Sequence, residues 1–423
     1  MSFSYRIEPG RLSGQVRVSG AKNSALRLLA GSLLTSEPLH LSNYPSSLRD
    51  AQVHVGMLGA LGKQCEVSEN EILITERTTP PQSLEWEGRS IRNNLLIWGA
   101  LIARTGAGRV PLPGGCQLGE RKFDLHEMVL RELGAHVWVE DNALCGEAVG
   151  RLRGADIHLP IRSTGATENA ILCGSLAEGT TRIWNPHIRP EILDLIQMLR
   201  GMGARIEVRG QERIDVEGSM ALGGTSHRTL PDNMEAITWL IGAAVTGGDV
   251  EIVDFPFEHL EVPLIFLRES GVRLYRGTDR VIVRGGEPFP VEISTGPYPG
   301  INSDMQPLFA LFGACAQGES RIIDLRFPDR YGYAEELAKM GVRYEVRDNL
   351  LRIHGGTPLV GANVRAVDLR AGAALALAAL VADGPTTIHD AWQIERGYQN
   401  FPDKLRSLGG SIEVDQAAVT AVA

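Results

Sequence analysis

One pattern of apolar and polar positions recurs six times along the chain. In each copy a helix-like segment ends in a leucine, methionine or serine followed by glycine, and a stretch of alternating apolar and polar residues comes next. The six dipeptides are Leu61-Gly62, Leu133-Gly134, Met202-Gly203, Ser270-Gly271, Met340-Gly341 and Leu408-Gly409. Glycine after a helix is the usual C-cap residue because it adopts left-handed angles without penalty, and alternation is typical of a half-buried strand. The pattern therefore predicts six modules that combine helix and strand.

The spacing of these modules bounds the domain organisation. The intervals between the six glycines are 72, 69, 68, 70 and 68 residues, longer than the repeats of common solenoids, so each copy is predicted to be a small α/β unit. An alanine-rich helix, a glycine turn and a strand recur in step, as in residues 176–183, 316–323 and 381–388. A chain of 423 residues exceeds one ordinary core. We expect two domains of three modules, with the cleft between them as the default binding site.

Composition and charge exclude several classes of function. The net charge of −9 argues against non-specific nucleic-acid binding, which needs a basic face. The five cysteines are widely spaced, which favours neither a disulfide framework nor a zinc site. The N-terminus has no apolar signal region, and the longest apolar run, Ala371 to Ala382, is too short to span a bilayer and predicts a buried helix. We expect a cytoplasmic protein with no membrane span, and these patterns predict no metal or cofactor.

Residues 110–126 carry the most informative chemistry. They place Cys116 among Pro113, Gly114, Gly115 and Gly119, a composition that predicts a loop. The cations Arg121 and Lys122 follow closely, and nearby positive charge lowers the pKa of a thiol and raises its reactivity. A buried structural cysteine is the alternative, since most cysteines are buried and inert.

Several predicted helix starts carry polar or ionisable residues. Lys22 and Asn23 precede an apolar helix predicted over Ala25 to Leu34, and residues 163–165 precede another. Such starts favour anions, although ordinary capping explains most of them. Residues 303–306 fit a capping box, which leaves Asp304 either a general base or a carboxylate that stabilises the helix dipole. Asp368 and Arg370 open the apolar helix near the C-terminus.

These segments together resemble the enolpyruvyl transferase family, and within it the members that act on UDP-N-acetylglucosamine. The resemblance rests on residues 19–23, 112–126, 303–306, 368–371, 396–398 and 403–405, which occur in order over the whole chain. It implies an inside-out α/β barrel in two globular domains, each with three βαββ repeats. One domain would span 22–230, and the other 1–21 with 231–423.

The resemblance also implies a reaction and its substrates. Phosphoenolpyruvate would give its enolpyruvyl group to the 3′-hydroxyl of UDP-N-acetylglucosamine and release phosphate, the first committed step of peptidoglycan synthesis. Cys116 would be the acid and the target of fosfomycin, and Asp304 the base. Lys22, Arg121 and Arg396 would bind the phosphate and carboxylate and stabilise developing charge.

The remaining residues that the resemblance implicates would bind the substrates. They are Asn23, Arg92, Lys122, Phe123, Asp124, Leu125, Ser163, Thr164, Gly165, Phe327, Asp368, Arg370 and Lys404. Ser163 to Gly165 would hold the diphosphate of the nucleotide sugar, and residues 121–125 would line the uracil pocket.

The sequence departs from the family mainly in the nucleotide-sugar segments. Lys122 replaces the usual proline, Asn93 and Asn94 replace small residues, and Ile161 takes the place of a common lysine. Residues 327–331 read Phe-Pro-Asp-Arg-Tyr instead of Phe-Glu-Asn-Arg-Phe. Two alternatives follow: the same chemistry on another uridine nucleotide, and a non-catalytic protein that binds a nucleotide sugar. The second is disfavoured because a binding protein needs no acid and base.

Overall fold

The chain folds into two compact units that mix helices and strands, so the predicted α/β class is confirmed. The computed structural model describes residues 3–89, 91–113, 123–327 and 329–416. One unit, here called the middle unit, comprises Gly20–Leu230. The other, the terminal unit, comprises Met1–Ser19 and Pro231–Ala423.

The described residues contain twelve α-helices. They are α1 (Lys22–Gly31), α2 (Arg49–Ala60), α3 (Asn94–Thr105), α4 (Asp124–Glu132), α5 (Thr164–Gly174), α6 (Pro190–Gly201), α7 (Asn233–Val245), α8 (Phe257–Glu269), α9 (Gln306–Cys315), α10 (Gly332–Lys339), α11 (Leu369–Leu380) and α12 (Phe401–Ser407). Short 3₁₀ turns occur at Ser32–Leu34, Ser303–Met305 and Ala391–Arg396.

The strands are short and are distributed over both units. Those before residue 230 are β1 (Phe3–Ile7), β2 (Ser13–Arg17), β3 (Leu39–Ser42), β4 (Lys63–Val67), β5 (Glu71–Glu76), β6 (Ala107–Pro111), β7 (Ala135–Glu140), β8 (Ala143–Ala148), β9 (Asp156–His158), β10 (Thr180–Trp184), β11 (Arg205–Arg209), β12 (Arg213–Glu217) and β13 (Thr225–Arg228). Those after it are β14 (Asp249–Val253), β15 (Arg273–Arg276), β16 (Arg280–Arg284), β17 (Glu292–Ser294), β18 (Glu319–Ile323), β19 (Arg343–Arg347), β20 (Leu350–His354), β21 (Leu359–Val360), β22 (Asn363–Arg365), β23 (Ala382–Asp383), β24 (Thr386–His389) and β25 (Ile412–Gln416).

Within the described residues, each unit contains three sheets of three or four strands that are built on a similar plan. In the middle unit the strand orders are β13-β3-β5-β4, β6-β8-β7 and β11-β12-β10-β9. In the terminal unit they are β15-β16-β14-β2, β17-β18-β20-β19 and β22-β24-β1-β25, with β21 and β23 as a separate pair. The four-stranded sheets each combine one parallel pair, such as β17 with β18, and antiparallel pairing in the rest.

The first helix of each module is the most deeply buried element. In the terminal unit α7, α9 and α11 contact one another, and all twelve residues of α11 are buried. Glycine permits the close approach, because a Cβ on Gly242 would lie 2.7 Å from Cδ2 of Leu377. α11 is rich in alanine because the helix is surrounded by its own unit, where close packing favours small side chains.

The second helix of each module ends at one of the six glycines found in the sequence. Gly62, Gly134, Gly203, Gly271, Gly341 and Gly409 all have left-handed backbone angles, with φ between 84° and 97°. Only glycine reaches these angles without steric cost. Each glycine therefore ends a helix and leads the chain into a hairpin.

Two local features differ from or extend the sequence expectation. α1 begins at Lys22 rather than Ala25 and ends at Gly31. It then tightens into a 3₁₀ turn, where the Ser32 hydroxyl donates to the Leu29 carbonyl at 2.6 Å. In the terminal unit β1 pairs antiparallel with both β24 and β25, so the first strand of the chain completes the last sheet. None of the helices in the described ranges has the length and apolar character needed to cross a membrane.

Candidate active site

The predicted site residues are divided between the two units. The middle unit holds Lys22, Asn23, Arg92, the segment 116–125 and the segment 163–165. The terminal unit holds Asp304, Phe327, Asp368, Arg370, Arg396 and Lys404. Cys116, Arg121 and Lys122 lie outside the described residues.

Arg330 joins two of the predicted carboxylates of the terminal unit. Its Nη1 lies 2.6 Å from Oδ1 of Asp304, and its Nη2 lies 3.3 Å from Oδ2 of Asp368. The Arg330 side chain is only 5% exposed. Burial alone would lower the pKa of this guanidinium, but the two carboxylates raise it above its ordinary value. Arg330 was missed as a site residue, and its place within residues 327–331 was the only signal for it in the sequence.

Asp368 uses its two oxygens in different ways. Oδ1 accepts hydrogen bonds from the backbone N–H groups of Arg370 and Ala371, at 2.7 and 2.8 Å, and so caps α11. Oδ2 bonds to Arg330. The cap therefore also orients a carboxylate toward the guanidinium that pairs with Asp304.

Arg370 is a buried cation beside the same cluster. Its Nε lies 3.5 Å from Oδ2 of Asp304, and its guanidinium lies 5.1 Å from the ring centroid of Tyr398. Burial opposes the charge, but Tyr398, Asp232 and Asp304 together raise the pKa of Arg370. The guanidinium is therefore a buried charge held between the Tyr398 ring and the Asp304 carboxylate.

Arg396 and Lys404 occupy different surroundings. Arg396 is buried at the end of a 3₁₀ turn and donates from Nη1 to Oε1 of Gln393 at 2.9 Å. Lys404 donates to Oε1 of Glu235 at 2.5 Å, to the Ser19 hydroxyl at 2.5 Å and to the Arg17 carbonyl at 3.0 Å. Because an ammonium has three donors, Lys404 is fully bonded within its own unit.

The predicted capping box at residues 303–306 is wrong. The capping oxygen belongs to Asn302, which accepts from the Asp304 N–H at 3.0 Å. The Ser303 hydroxyl instead donates to Asp324 at 2.5 Å, and the Gln306 amide also donates to Asp324. Asp324, which is distant in sequence, thus accepts hydrogen bonds from both side chains that would have formed the local capping box. The same carboxylate accepts from the backbone N–H of Phe327 at 2.9 Å.

In the middle unit, α1 presents its cations to buried acids. Nζ of Lys22 lies 2.9 Å from Oδ2 of Asp50, and Nε of Arg27 lies 2.7 Å from Oε1 of Glu168. Burial raises the pKa of Glu168, and Arg27 opposes that change. Asn23 lies half-buried next to Lys22. Asp50 was not found from the sequence, which gives no sign of which acid packs against α1.

Ser163 and Thr164 begin α5 and are held by local hydrogen bonds. Oγ of Ser163 accepts from the Ala166 N–H at 3.4 Å, which is the capping explanation considered from the sequence. Oγ1 of Thr164 lies 2.8 Å from Nδ1 of His187. The predicted diphosphate segment is therefore also tied to the loop before α6.

Gly165 is required by the histidine that packs against it. A Cβ at this position would lie 2.7 Å from Nε2 of His126. Burial lowers the pKa of His126 to about 3, and the half-buried cation Arg92 contributes to the shift. The imidazole beside this helix start is therefore neutral at pH 7. Nδ2 of Asn169 lies 3.2 Å from Nδ1 of His126.

The described part of the predicted uracil wall lies at the start of α4. Phe123 precedes this helix, and Asp124 occupies its first turn, where a carboxylate is favourable for the helix dipole. Phe123 and Leu125 are partly buried against the apolar core of the middle unit. These two apolar side chains are thus supported from below by the core.

The four described cysteines are unlike a reactive thiol. Burial raises the pKa of Cys65 to about 11 and that of Cys315 to about 12. Burial likewise raises the pKa values of Cys145 and Cys173. The described ranges contain no group of three or more histidine, cysteine or acidic side chains placed to hold a metal ion.

Comparison with known proteins identifies the relatives of this chain. The family model described as EPSP synthase (3-phosphoshikimate 1-carboxyvinyltransferase) matches residues 7–405. A protein of Cronobacter sakazakii named UDP-N-acetylglucosamine 1-carboxyvinyltransferase is 38% identical over 97% of this chain and 98% of the relative. A protein of Serratia proteamaculans with the same name is 39% identical over 95% of this chain and 96% of the relative.

Two solved structures have a similar fold. The enolpyruvyl transferase NikO from Streptomyces tendae is 28% identical, with a TM-score of 0.90 over 99% of this chain and 100% of that one. EPSP synthase from Acinetobacter baumannii is 21% identical, with a TM-score of 0.76 over 98% of this chain and 100% of that one. The second likeness is one of fold alone.

Proposed function

Because the chain belongs to the EPSP synthase family of enolpyruvyl transferases, we propose that it transfers the enolpyruvyl group of phosphoenolpyruvate to the 3′-hydroxyl of UDP-N-acetylglucosamine and releases phosphate. The site observation that carries the proposal is the cluster of Asp304, Arg330, Asp368 and Arg370. It combines a partly exposed carboxylate, 28% accessible, with two buried guanidiniums. The choice of acceptor rests on the names of the relatives.

The proposed reaction is an addition followed by an elimination. Asp304 takes the proton of the acceptor hydroxyl, and the oxygen bonds to C2 of phosphoenolpyruvate while Cys116 protonates the methylene carbon. The Cys116 thiolate then takes a proton back from the resulting methyl group, the double bond re-forms, and the bond from C2 to the phosphate oxygen breaks. Phosphate departs with the electron pair of that bond.

The cations are assigned to the charges that the reaction carries and develops. Lys22, Arg121 and Arg396 bind the phosphate and carboxylate of phosphoenolpyruvate, and buried Arg370 supports them with its positive charge. Asp368 and Arg330 hold Asp304 in place. Arg92 and Lys404 support the cations that bind phosphoenolpyruvate. In the middle unit, Asn23 and residues 163–165 bind the nucleotide sugar, and residues 121–125 line its uracil pocket.

The proposal includes the finer expectations from the sequence. The fold is an inside-out α/β barrel in two globular domains, each with three βαββ repeats. The reaction is the first committed step of peptidoglycan synthesis and takes place in the cytoplasm. Fosfomycin alkylates Cys116. The expectation that substrates bind in the cleft between the domains stays a prediction.

A second candidate keeps the chemistry and changes the acceptor to another uridine nucleotide. The observation that supports it is Ile161, whose apolar side chain is 49% exposed where the family usually has a lysine. Curated relatives at 38–39% identity over nearly the whole chain favour UDP-N-acetylglucosamine.

A phosphate-release assay tests the proposal. The protein is incubated with phosphoenolpyruvate and, separately, UDP-N-acetylglucosamine, UDP, UMP or UDP-glucose. Release with UDP-N-acetylglucosamine alone supports the proposal, release with a different nucleotide alone supports the second candidate, and no release with any acceptor supports a binding protein. Asp304→Asn serves as the control and should lower kcat by about 10²- to 10⁴-fold, the usual contribution of a general base.

A further inference from the structure

Asp324 is a buried carboxylate that the proposed reaction does not use. It is fully buried at the end of β18. Five groups donate hydrogen bonds to its side chain: the Thr295 hydroxyl at 2.8 Å, the Ser303 hydroxyl at 2.5 Å, the Gln306 amide, and the backbone N–H groups of Arg326 at 2.8 Å and Phe327 at 2.9 Å. A carboxylate has about four lone-pair positions, so Asp324 is saturated and joins three separate segments.

One of these donors leads directly to the proposed base. Because an ionised carboxylate can only accept, the Ser303 hydroxyl must donate its proton to Oδ2 of Asp324. Its oxygen is then free to accept from Nη1 of Arg330, which lies 3.4 Å away. The same Nη1 bonds to Oδ1 of Asp304 at 2.6 Å. Asp324 therefore fixes the direction of the Ser303 hydroxyl, and Arg330, which can only donate, bonds to both Ser303 and Asp304.

A second donor leads to the loop that carries Phe327. Asp324 binds both backbone N–H groups at the start of this loop, and the loop returns to the cluster at Arg330. The start of α9 and the start of the loop are thus held by one buried group. A displacement of either segment would change the position of Arg330 relative to Asp304.

We propose that Asp324 is a positioning residue, which acts through Ser303 and Arg330 to hold Asp304 for removal of the acceptor hydroxyl proton. This inference rests on the proposed function, since it assigns a role to a neighbour of the proposed base. Asp324 itself touches no substrate. It orients the donor of Arg330 and thereby the carboxylate of Asp304, which contacts the acceptor hydroxyl.

Two hydroxyl deletions on the same carboxylate provide a matched test. Ser303→Ala removes the donor to Oδ2 and breaks the connection to Arg330. Thr295→Val removes the donor to Oδ1 and the acceptor of the Leu325 N–H, but the Thr295 hydroxyl makes no hydrogen bond to Ser303 or Arg330. Ser303→Ala should lower kcat about fivefold, the effect of one hydrogen bond, with the KM for phosphoenolpyruvate unchanged. Thr295→Val should leave kcat unchanged and affect only thermal stability.

Asp324→Asn gives the larger effect. The amide can donate to Ser303 and reverse its hydroxyl, so that the hydroxyl proton faces Arg330. We expect kcat to fall about 10- to 100-fold, a large part of what a general base contributes. If this variant does not fold, the pair of hydroxyl deletions decides alone.

Crystal structures of the two hydroxyl variants add a readout that does not require turnover. The contact between Arg330 Nη1 and Asp304 Oδ1, 2.6 Å here, should lengthen in Ser303→Ala and persist in Thr295→Val. An unchanged contact in Ser303→Ala, or an equal loss of kcat in both variants, would overturn the positioning role. A wild-type protein without activity on any acceptor would instead refute the proposed function, and the contact distance would still decide the role of Asp324.

Discussion

Selective alkylation of Cys116 is the sharpest prediction from the thiol environments. The native protein is treated at pH 7.5 with a limiting amount of fosfomycin or, separately, iodoacetamide. We expect the adduct on Cys116, because the other four thiols have raised pKa values as a result of burial. Only a thiolate reacts at a useful rate.

The expected selectivity follows from the thiolate populations. At pH 7.5 an ordinary thiol with a pKa near 8.5 is about 10% ionised. Cys65, with a pKa of about 11, is ionised to about 0.03%, a ratio of about 300. A more basic thiolate is intrinsically more nucleophilic by about tenfold over this pKa interval, with a Brønsted coefficient of 0.4–0.5. The net preference over Cys65 is therefore about 30-fold before burial reduces access further, and a lowered pKa of Cys116 beside Arg121 and Lys122 would add to it.

Peptide mass spectrometry measures the site of the adduct. The labelled protein is digested, and the modified fraction of each cysteine is followed with time. Cys116→Ser is the control and should reduce labelling to the slow background of the buried thiols, whereas unfolded protein should label at all five positions. Labelling of Cys65, Cys145, Cys173 or Cys315 as fast as Cys116 would refute the assignment of the reactive thiol.

Three further predictions concern named contacts. Arg330→Gln removes the guanidinium that pairs with buried Asp368 and partly exposed Asp304, and it should lower the free energy of unfolding by about 3–5 kcal/mol in a urea titration. Arg330→Lys should recover part of this loss. Equal stability of both variants and the wild type would contradict the pairing with Asp304. The folded-state pKa of His126, about 3, lies below the unfolded value, so the contribution of this residue to stability is complete above pH 6.5. It is lost as the pH falls from 6.5 to 3, by up to about 1.4 kcal/mol per pH unit. His126→Gln should flatten the dependence of urea midpoints on pH in this window, and an unchanged slope would show that this histidine is protonated when folded. Lys404→Met removes the cation that pairs with buried Glu235. It should lower the thermal midpoint by several degrees with little change in the KM for phosphoenolpyruvate. A large rise in KM at an unchanged midpoint would instead assign Lys404 to substrate binding.

Local signals in the sequence were sufficient for the elements of the fold. The helix ends at the six glycines depend on backbone freedom. The buried helix near residue 371 depends on its continuous apolar sequence. Both signals lie within short segments of the chain. The N-cap at Asp368 follows from the same local rules. These features could be predicted because each depends on residues only a few positions apart.

The partners of the site residues could not be predicted in this way. Asp50 pairs with Lys22 from a different helix, and Asp324 takes the hydroxyl of Ser303 from 21 residues away. The expected capping box failed for that reason: a buried carboxylate competed successfully for a side chain with a strong local preference. Arg330 escaped notice because a lone arginine in a loop is usually exposed.

The pairing of β1 with β24 and β25 has a consequence for the order in which the protein is made. Residues 3–7 are translated long before their partners in the sheet, which extend to residue 416. The middle unit, Gly20–Leu230, is one continuous stretch and can form its sheets while translation continues, since domains generally fold as units during synthesis. β1 must stay unpaired until its partners at residues 386–388 and 412–416 have been translated. A nascent chain arrested near residue 380 should therefore contain a protease-resistant middle unit and be cleaved near residues 3–7.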